Sequence, residues 1–188
     1  MTVTTLDPTT ALIVVDLQNG VVGLSTAHPT ADIVARSAEL AAAFRARGLP
    51  VVLVNATGGA PGRVEYQRAG ATGERPANFA DIVAELDQQP SDILVSKQTW
   101  GAFHNTELDA ELKSRGVTQV VVTGVATTAG VESTARAAHE HGYNVTIATD
   151  AVTDMSAEAH DNTIARIFPR IGETGTSAEI IALLPAVG

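Results

Sequence analysis

A buried strand, a glycine turn and the start of a helix follow one another in Val120-Val-Val-Thr-Gly-Val-Ala-Thr-Thr-Ala-Gly130-Val-Glu-Ser-Thr-Ala-Arg136. A continuous apolar run of this kind is typical of a strand that is covered on both faces of a parallel sheet. Glycine allows the chain to turn sharply after such a strand. The segment therefore predicts an α/β unit with the glycine turn at the carboxyl end of its strand.

The same alternation extends in both directions from this unit. Short β-branched runs predict strands at 11–15, 50–55, 92–96, 119–123 and 143–148, with an edge strand at 170–173. Helical spacing predicts helices at 30–47, 106–115, 128–141, 156–168 and 176–184. Thr106 and Asp109 resemble a capping box at the start of the second helix. Together these elements predict a single α/β domain, residues 1–188, with a parallel sheet covered on both faces.

The connection between residues 56 and 80 departs from this pattern, because it is long and rich in Gly, Pro and Ala. Arg63, Arg68 and Arg75 are spread along it. A long loop in a compact domain is usually functional or mobile.

Composition excludes several classes of protein. The chain has 188 residues and a formal net charge of 12 − 21 = −9, which suits neither nucleic-acid phosphates nor anionic membrane surfaces. It has no cysteine, so disulfides and thiolate metal sites are excluded. The N-terminus lacks a signal-peptide pattern and no apolar run has the length of a membrane span. We therefore expect a cytoplasmic protein.

Three predicted strand ends carry residues suited to chemistry, and ligands of open α/β sheets bind at such ends. Asp16 follows the first strand and is either a polar turn residue or a buried carboxyl whose pKa is raised. Lys97 follows the third strand and is either a solvated surface residue or a group beside an apolar wall that acts on a carboxylate. Trp100 is equally compatible with packing and ligand contact, whereas Phe103 is expected in the core.

The third strand end is the turn from Gly124 to Gly130. Free N–H groups there would favour an anion, whereas a glycine can also serve only close packing. Thr127, Thr128 and Ser133 have no adjacent base along the sequence, which argues against a hydroxyl nucleophile. No histidine pair has the spacing of metal ligands, so no metal site is expected. Gln18 is either a turn-forming amide or a ligand.

Several motifs in fixed order resemble the isochorismatase-like (cysteine hydrolase) family over nearly the whole chain. They comprise Asp16-Leu-Gln-Asn, Ser96-Lys97, Ala102-Phe-His-Asn-Thr106-Glu-Leu, Thr123-Gly-Val-Ala-Thr127, Val131-Glu-Ser-Thr-Ala-Arg-Ala-Ala138, Gly142-Tyr-Asn-Val and Thr149-Asp-Ala151. The resemblance implies a three-layer αβα fold with a six-stranded parallel sheet of order 3-2-1-4-5-6. It implies an Asp–Lys–Cys site at Asp16, Lys97 and Gly130, and a cis peptide before Ala126 that helps to shape an oxyanion pocket. Gln18, Trp100, Ala126 and Thr127 are the expected substrate contacts.

Two departures from that family narrow the chemistry. Gly130 replaces the nucleophile that the amidases of the family use, and the Asp-x-His metal pattern of nicotinamidases is missing after the second strand, which continues as Asn55-Ala-Thr-Gly-Gly. The resemblance to true isochorismatases, which also lack the cysteine, implies vinyl-ether hydrolysis with an Asp as general acid. Ala126 stands where those siderophore-pathway enzymes are expected to have a tyrosine.

Three hypotheses follow from the sequence. The first is a hydrolase without a cysteine nucleophile that acts on a small carboxylate-bearing substrate, with vinyl-ether hydrolysis through Asp16 first. The second is amide or ester hydrolysis by directly activated water. The third is a non-catalytic member that binds a metabolite. For all three we expect no cofactor, no metal, no nucleic acid, no membrane and a homo-oligomer, either a dimer or a tetramer.

Overall fold

A six-stranded parallel sheet in the order β3-β2-β1-β4-β5-β6 forms the centre of the molecule, as the computed structural model of residues 2–65 and 75–185 shows. Its strands are β1 Thr10–Val15, β2 Val51–Ala56, β3 Ile93–Lys97, β4 Gln119–Val125, β5 Asn144–Thr153 and β6 Glu173–Gly175. The α-helices are α1 Asn19–Val22, α2 Thr30–Arg45, α3 Leu108–Ser114, α4 Glu132–Glu140, α5 Ala157–Asn162 and α6 Ser177–Leu183. The predicted fold class and strand order are confirmed.

Two hydrophobic cores cover the two faces of the sheet, because successive side chains of a strand point to opposite sides. Leu12 and Val14 of β1 pack in the core that contains residues of α2 and α6. Ile13 and Val15 pack in the other core, with residues of α3 and α4. All six residues of β1 are buried, as expected for a central parallel strand.

Several element boundaries differ from the sequence predictions. The sixth, edge strand is present, but the bounds predicted for it, 170–173, are wrong: Phe168–Arg170 forms a 3-10 turn that contains Pro169, and β6 begins only at Glu173. β4 and β5 run further than predicted and shift register between Val122 and Gly124. The helix predicted at 156–168 changes from α5 to a π-helical segment, Thr163–Ile167.

The predicted capping box at Thr106 does not form. α3 begins at Leu108, and its N-cap residue Glu107 makes no side-chain cap bond. The Thr106 hydroxyl donates to the Ala102 carbonyl and accepts from Leu108 N at 3.4 Å instead of from Asp109 N. A complete capping box is found instead at α6, where the Thr176 side chain accepts from Glu179 N and the Glu179 side chain accepts from Thr176 N.

The described parts of the chain, residues 2–65 and 75–185, contain no helix that is both long and apolar enough to cross a membrane.

Candidate active site

An ion pair joins the ends of two strands that are not neighbours. Lys97 is the last residue of β3, and its Nζ donates to Asp16 Oδ2 at 2.7 Å and to the Thr99 carbonyl at 3.2 Å. Asp16 directly follows β1, and β2 lies between β1 and β3. Lys97 is only 2% exposed, so the surface interpretation of this lysine is wrong.

The backbone at Asp16 directs its carboxyl into this position. Asp16 has a φ of +56°, in the left-handed region that non-glycine residues rarely adopt and that Asp tolerates better than most. Its N–H still bonds to the Val54 carbonyl at 2.9 Å, so the chain leaves the sheet only after this residue. A strained residue at a strand end is often part of a functional site.

Asp16 has an unusual electrostatic environment. Its carboxyl is mostly buried, and burial raises the pKa of Asp16 above its ordinary value of 3.8, while the charge and hydrogen bond of Lys97 act in the opposite direction. Oδ1 is buried and has no hydrogen-bond partner among the described residues. The hydrogen-bonding capacity of Oδ1 is therefore unused by the described residues.

Gly130 lies against this carboxyl. A Cβ atom placed on Gly130 would lie 3.0 Å from Asp16 Oδ2, 3.0 Å from Val15 Cγ1 and 3.3 Å from the Val125 carbonyl. The structure thus brings Asp16, Lys97 and Gly130 together, although they are far apart in the sequence. It also gives Gly130 a packing role, since any side chain there would be in close contact with the carboxylate.

The turn that carries Gly130 follows a cis peptide bond between Val125 and Ala126, as the family resemblance implied. Thr127–Val131 forms a π-helical turn rather than the first turn of an α-helix. Several of its amides are already engaged: Thr128 N donates to Asp154 Oδ2 at 2.8 Å, and Ala129 N and Val131 N donate to the Ala126 carbonyl. The expectation of a turn with free N–H groups is therefore wrong for these three amides.

Both threonines of the turn have polar partners that sequence inspection missed. Thr127 Oγ1 lies 2.8 Å from His160 Nδ1, and the Thr128 hydroxyl donates to Asp154 Oδ2 at 2.7 Å. The prediction that these hydroxyls lack an adjacent base is wrong, because the partners come from α5 and from the residue after β5. Thr127 is nevertheless fully buried, so its hydroxyl is not open to a substrate in this conformation.

The other expected substrate contacts have different environments. Gln18 is fully buried and its amide is used by the backbone: Nε2 donates to the carbonyls of Ala56 and Phe79, and Oε1 accepts from Ala56 N. This pattern favours a structural role that ties β1 to the long connection. Trp100 is 65% exposed, whereas Phe103 is buried as expected.

One arginine of the long connection is linked through backbone groups to the end of β3. Arg75 Nη1 donates to the Thr57 carbonyl at 2.9 Å, and Thr57 N in turn donates to the Lys97 carbonyl at 2.9 Å. The Arg75 guanidinium also stacks over the Phe79 ring at 4.7 Å. Arg63 is exposed, and Arg68 lies outside the described residues.

Within the described ranges, no group of three or more His, Asp and Glu side chains could hold a metal ion. His28 and His160, which are distant in sequence, pack against each other in a tilted arrangement with their ring centroids 4.8 Å apart. A surface cavity of about 410 Å³ lies at the opposite edge of the sheet from Asp16, beside Asp7, Gln119 and Asn144. These three residues hydrogen-bond to one another and to nearby threonines, so the cavity is set apart from the strand-end site.

The strand order, the Asp16–Lys97 pair and the cis bond before Ala126 coincide with a match of residues 10–179 to the isochorismatase domain. The chain belongs to the isochorismatase family. It is 42% identical over 182 residues to the isochorismatase family protein YecD of Escherichia coli O157:H7, covering 94% of this chain and 96% of that one. An isochorismatase family structure from Burkholderia thailandensis is 41% identical, with a TM-score of 0.90 and coverage of 96% and 97%.

A family member with a named activity is also similar to this chain. The ureidoacrylate amidohydrolase RutB of Methylobacterium radiotolerans is 33% identical over 192 residues, which cover 86% of this chain and 74% of the enzyme. Hydrolysis is thus an activity of the family to which this chain belongs.

Proposed function

We propose that this isochorismatase-family protein is a hydrolase that acts without a cysteine nucleophile on a small carboxylate-bearing substrate, with Asp16 as general acid in vinyl-ether hydrolysis. The observation that carries the proposal is the state of Asp16. Its Oδ2 is held by Lys97, its buried Oδ1 has no partner among the described residues, and burial raises its pKa. Raising the pKa keeps a carboxylic acid protonated closer to neutral pH, as a general acid requires.

The chemistry then needs only a proton and water. Asp16 transfers its proton to the terminal carbon of the enol ether, and the electron pair of the double bond forms the new C–H bond. The oxygen-stabilised cation that results takes up water, which loses a proton to Asp16. The resulting hemiketal then breaks its C–O bond to give an alcohol and a carbonyl compound. No step requires a covalent enzyme intermediate, which agrees with a glycine at position 130.

Lys97 supports this cycle through its contact with Asp16. When Asp16 loses its proton, the neighbouring ammonium stabilises the new carboxylate at 2.7 Å. The Thr99 carbonyl holds the same ammonium at 3.2 Å and so fixes the lysine head in a buried position. The pair is therefore suited to repeated loss and return of a proton.

Arg75 is the residue we assign to the substrate carboxylate. It is exposed, and its bond to Thr57 uses only part of a guanidinium that carries five N–H donors. Arginine binds carboxylates in a bidentate manner, and its stacking on Phe79 holds the planar group in place. In a chain with a net charge of −9, a local cation is needed to attract an anionic substrate.

Amide or ester hydrolysis by activated water is the second candidate, and the similarity to ureidoacrylate amidohydrolase favours it. In that reaction Asp16 would have to be ionised and act as a base on water. The raised pKa of Asp16 serves either role, because it keeps the acid protonated to higher pH and makes the carboxylate a stronger base, so the pH dependence of turnover distinguishes the two. A non-catalytic role is less favoured, since a buried ion pair with a free carboxyl oxygen contributes little to stability by itself.

Turnover of isochorismate and of a panel of ureido acids and amides by wild type and Asp16→Asn tests the proposal. Asn keeps the size of the side chain and cannot act as an acid, so isochorismate turnover should be lost while the fold is retained. Asp32→Asn, at an exposed carboxylate in the first turn of α2, is the matched control. Full isochorismate turnover by Asp16→Asn would exclude Asp16 as the acid. Wild-type turnover of amides alone would establish the second candidate.

A further inference from the structure

The turn beside Asp16, residues 126–130, contacts a histidine that comes from a different helix. Thr127 is the first residue of the π-helical turn and comes one residue after the cis bond. Its hydroxyl lies 2.8 Å from Nδ1 of His160, and both residues are buried. His160 belongs to α5, so the contact connects two elements separated in the chain by α4 and β5.

A second contact holds the same turn from the same side. Asp154, which directly follows β5, accepts hydrogen bonds from both the amide and the hydroxyl of Thr128 and from Ser156 N. Thr127 and Thr128 are thus each bound by one polar side chain of the β5–α5 segment. Gly130 at the other end of the turn lies against Asp16. A displacement of Thr127 is therefore transmitted along a short stretch of backbone to Gly130, which lies against the proposed acid, Asp16.

His160 is surrounded by groups that act on its charge. His28, from the loop before α2, packs against its ring at a tilt of 60° and opposes a positive charge there, whereas Asp161 in α5 and Asp154 after β5 favour one. Burial is the largest influence and, with His28, lowers the pKa of His160 below its ordinary value of 6.5. His28 is itself held by Thr153, whose Oγ1 lies 3.1 Å from both its backbone N and its Nδ1.

We propose that His160 is a positioning residue: its neutral ring accepts the Thr127 hydroxyl proton and so fixes the Ala126–Gly130 turn against Asp16. A protonated ring has no acceptor nitrogen and can only donate. The bond to Thr127 would then reverse, leaving the proton of a fully buried hydroxyl without its acceptor, which is costly. The turn should shift when His160 is protonated, and the site should lose its geometry at acid pH.

This inference concerns the turn and needs no turnover to be tested; only its effect on catalysis rests on the proposed function. The direct experiment follows the backbone amide resonances of Ala126, Thr127 and Gly130 by NMR between pH 4.5 and about pH 8, together with the Cε1–H resonance of His160. We expect the turn amides and His160 to titrate with one shared midpoint, below the ordinary histidine value of about 6.5.

Two variants show whether His160 is the cause. His160→Asn places an amide near the position of Nδ1 and cannot take up a proton, so the Ala126 and Thr127 amides should no longer titrate, and any titration that remains at Gly130 should be lost in Asp16→Asn, since Gly130 lies against Asp16. His28→Asn keeps a polar group near Thr153 but removes the ring whose charge lowers the pKa of His160, so the shared midpoint should rise. His104→Asn, at an exposed histidine, is the matched control and should change nothing.

Turn amides that stay flat while His160 titrates would overturn the inference. So would amides that titrate in His160→Asn as they do in wild type, or a midpoint that falls in His28→Asn.

A kinetic readout separates positioning from simple stability, using whichever substrate wild type turns over. His160→Leu, which cannot hydrogen-bond to Thr127, should lower kcat/KM on the order of tenfold to a hundredfold. His160→Asn should restore most of that loss and remove the acid limb from the pH profile. Equal losses in both variants, with the acid limb retained, would contradict the positioning role. Loss of all activity in Asp16→Asn with normal NMR titrations would bear on the acid alone.

Discussion

Lys97 Nζ lies 2.7 Å from Asp16 Oδ2 across an intervening strand. Lys97 pairs in register with Ala56 of β2, so its side chain passes the end of β2 to meet a residue that follows β1. Strands are about 4.8 Å apart, so this span is roughly 10 Å at the backbone. A small residue at Ala56 and a left-handed Asp16 allow the lysine to complete the span. The pair therefore depends on the strand order as much as on the two residues themselves.

Lys97→Met should make stability fall as pH rises. The lysine lowers the pKa of Asp16, so its removal raises that pKa further above 3.8. A carboxyl group whose pKa is higher in the folded than in the unfolded state destabilises the folded state as the pH rises. The effect is complete once the pH exceeds the folded-state pKa. We expect a small deficit relative to wild type near pH 4 and a loss on the order of 3–5 kcal/mol at pH 8, measured by urea denaturation.

Lys113→Met is the control for this variant, because Lys113 forms an exposed pair with Asp109 at 2.8 Å. Exposed pairs contribute less than about 1 kcal/mol, so this loss should be small at both pH values. A deficit of Lys97→Met that is independent of pH would show that Asp16 does not titrate against Lys97.

Turnover by wild type should fall on the alkaline side as Asp16 loses its proton. The raised pKa of Asp16 places that limb above the ordinary carboxyl range. The kcat/KM profile for isochorismate should show the limb, and Lys97→Met should move it to higher pH in whatever activity remains. An activity that rises with pH in this range in His160→Asn as well as in wild type would assign Asp16 as a base and would favour amide or ester hydrolysis.

The parts of this structure that sequence reasoning located are those encoded locally. Apolar runs marked the strands, and a parallel sheet brings their carboxyl ends to one edge, which placed Asp16, Lys97 and Gly130 together. The Thr127–His160 and Thr128–Asp154 contacts join residues 33 and 26 positions apart, and no local sequence pattern predicts them. The sequence left a ligand role open for Gln18, because the backbone carbonyls that bind its amide, those of Ala56 and Phe79, are distant in the sequence. The π-helical turn was missed because it is a single turn of five residues, too short to show in the apolar spacing of the helix that follows it.

Gly124→Ala should prevent folding. Gly124 has a φ of +117°, and an added Cβ would collide with the Val15 carbonyl of the neighbouring strand. Both the strained backbone and the rigid neighbour oppose a side chain, so we expect a loss of more than about 4 kcal/mol. Thermal unfolding and soluble yield provide the measurement.

Gly116→Ala is the matched control for Gly124. It also has a positive φ, +68°, but nothing lies within 4 Å of its added Cβ. Its cost should be limited to the left-handed conformation, about 1–2 kcal/mol. Equal effects of the two substitutions would show that the approach of Val15 is not the limiting contact.

Arg75→Lys should weaken substrate binding while chemistry is preserved. Lysine keeps the charge but loses the planar fork and the stacking on Phe79, so KM should rise by about tenfold or more with little change in kcat. Because Arg75 is exposed, the free energy of unfolding should change by less than about 0.5 kcal/mol. Arg63→Lys, in the same connection, is the control. An unchanged KM in Arg75→Lys would remove this arginine from the substrate site.

Gly130→Cys should introduce a reactive thiol where wild type has none. Wild-type activity should be indifferent to iodoacetamide, because the chain contains no cysteine. At position 130 a Cβ lies 3.0 Å from Asp16 Oδ2, and Asp16 is bound to the Lys97 ammonium, a cation that favours a thiolate nearby. We expect intact-protein mass spectrometry to detect one carbamidomethyl group on the folded variant.

The close contacts at position 130 should destabilise Gly130→Cys by about 1–3 kcal/mol. Gly130→Ser, the control without a thiol, should be destabilised equally. A folded Gly130→Cys protein that resists alkylation would show that position 130 does not open onto the site. A covalent acyl-enzyme trapped on a wild-type threonine or serine would overturn catalysis without a nucleophile.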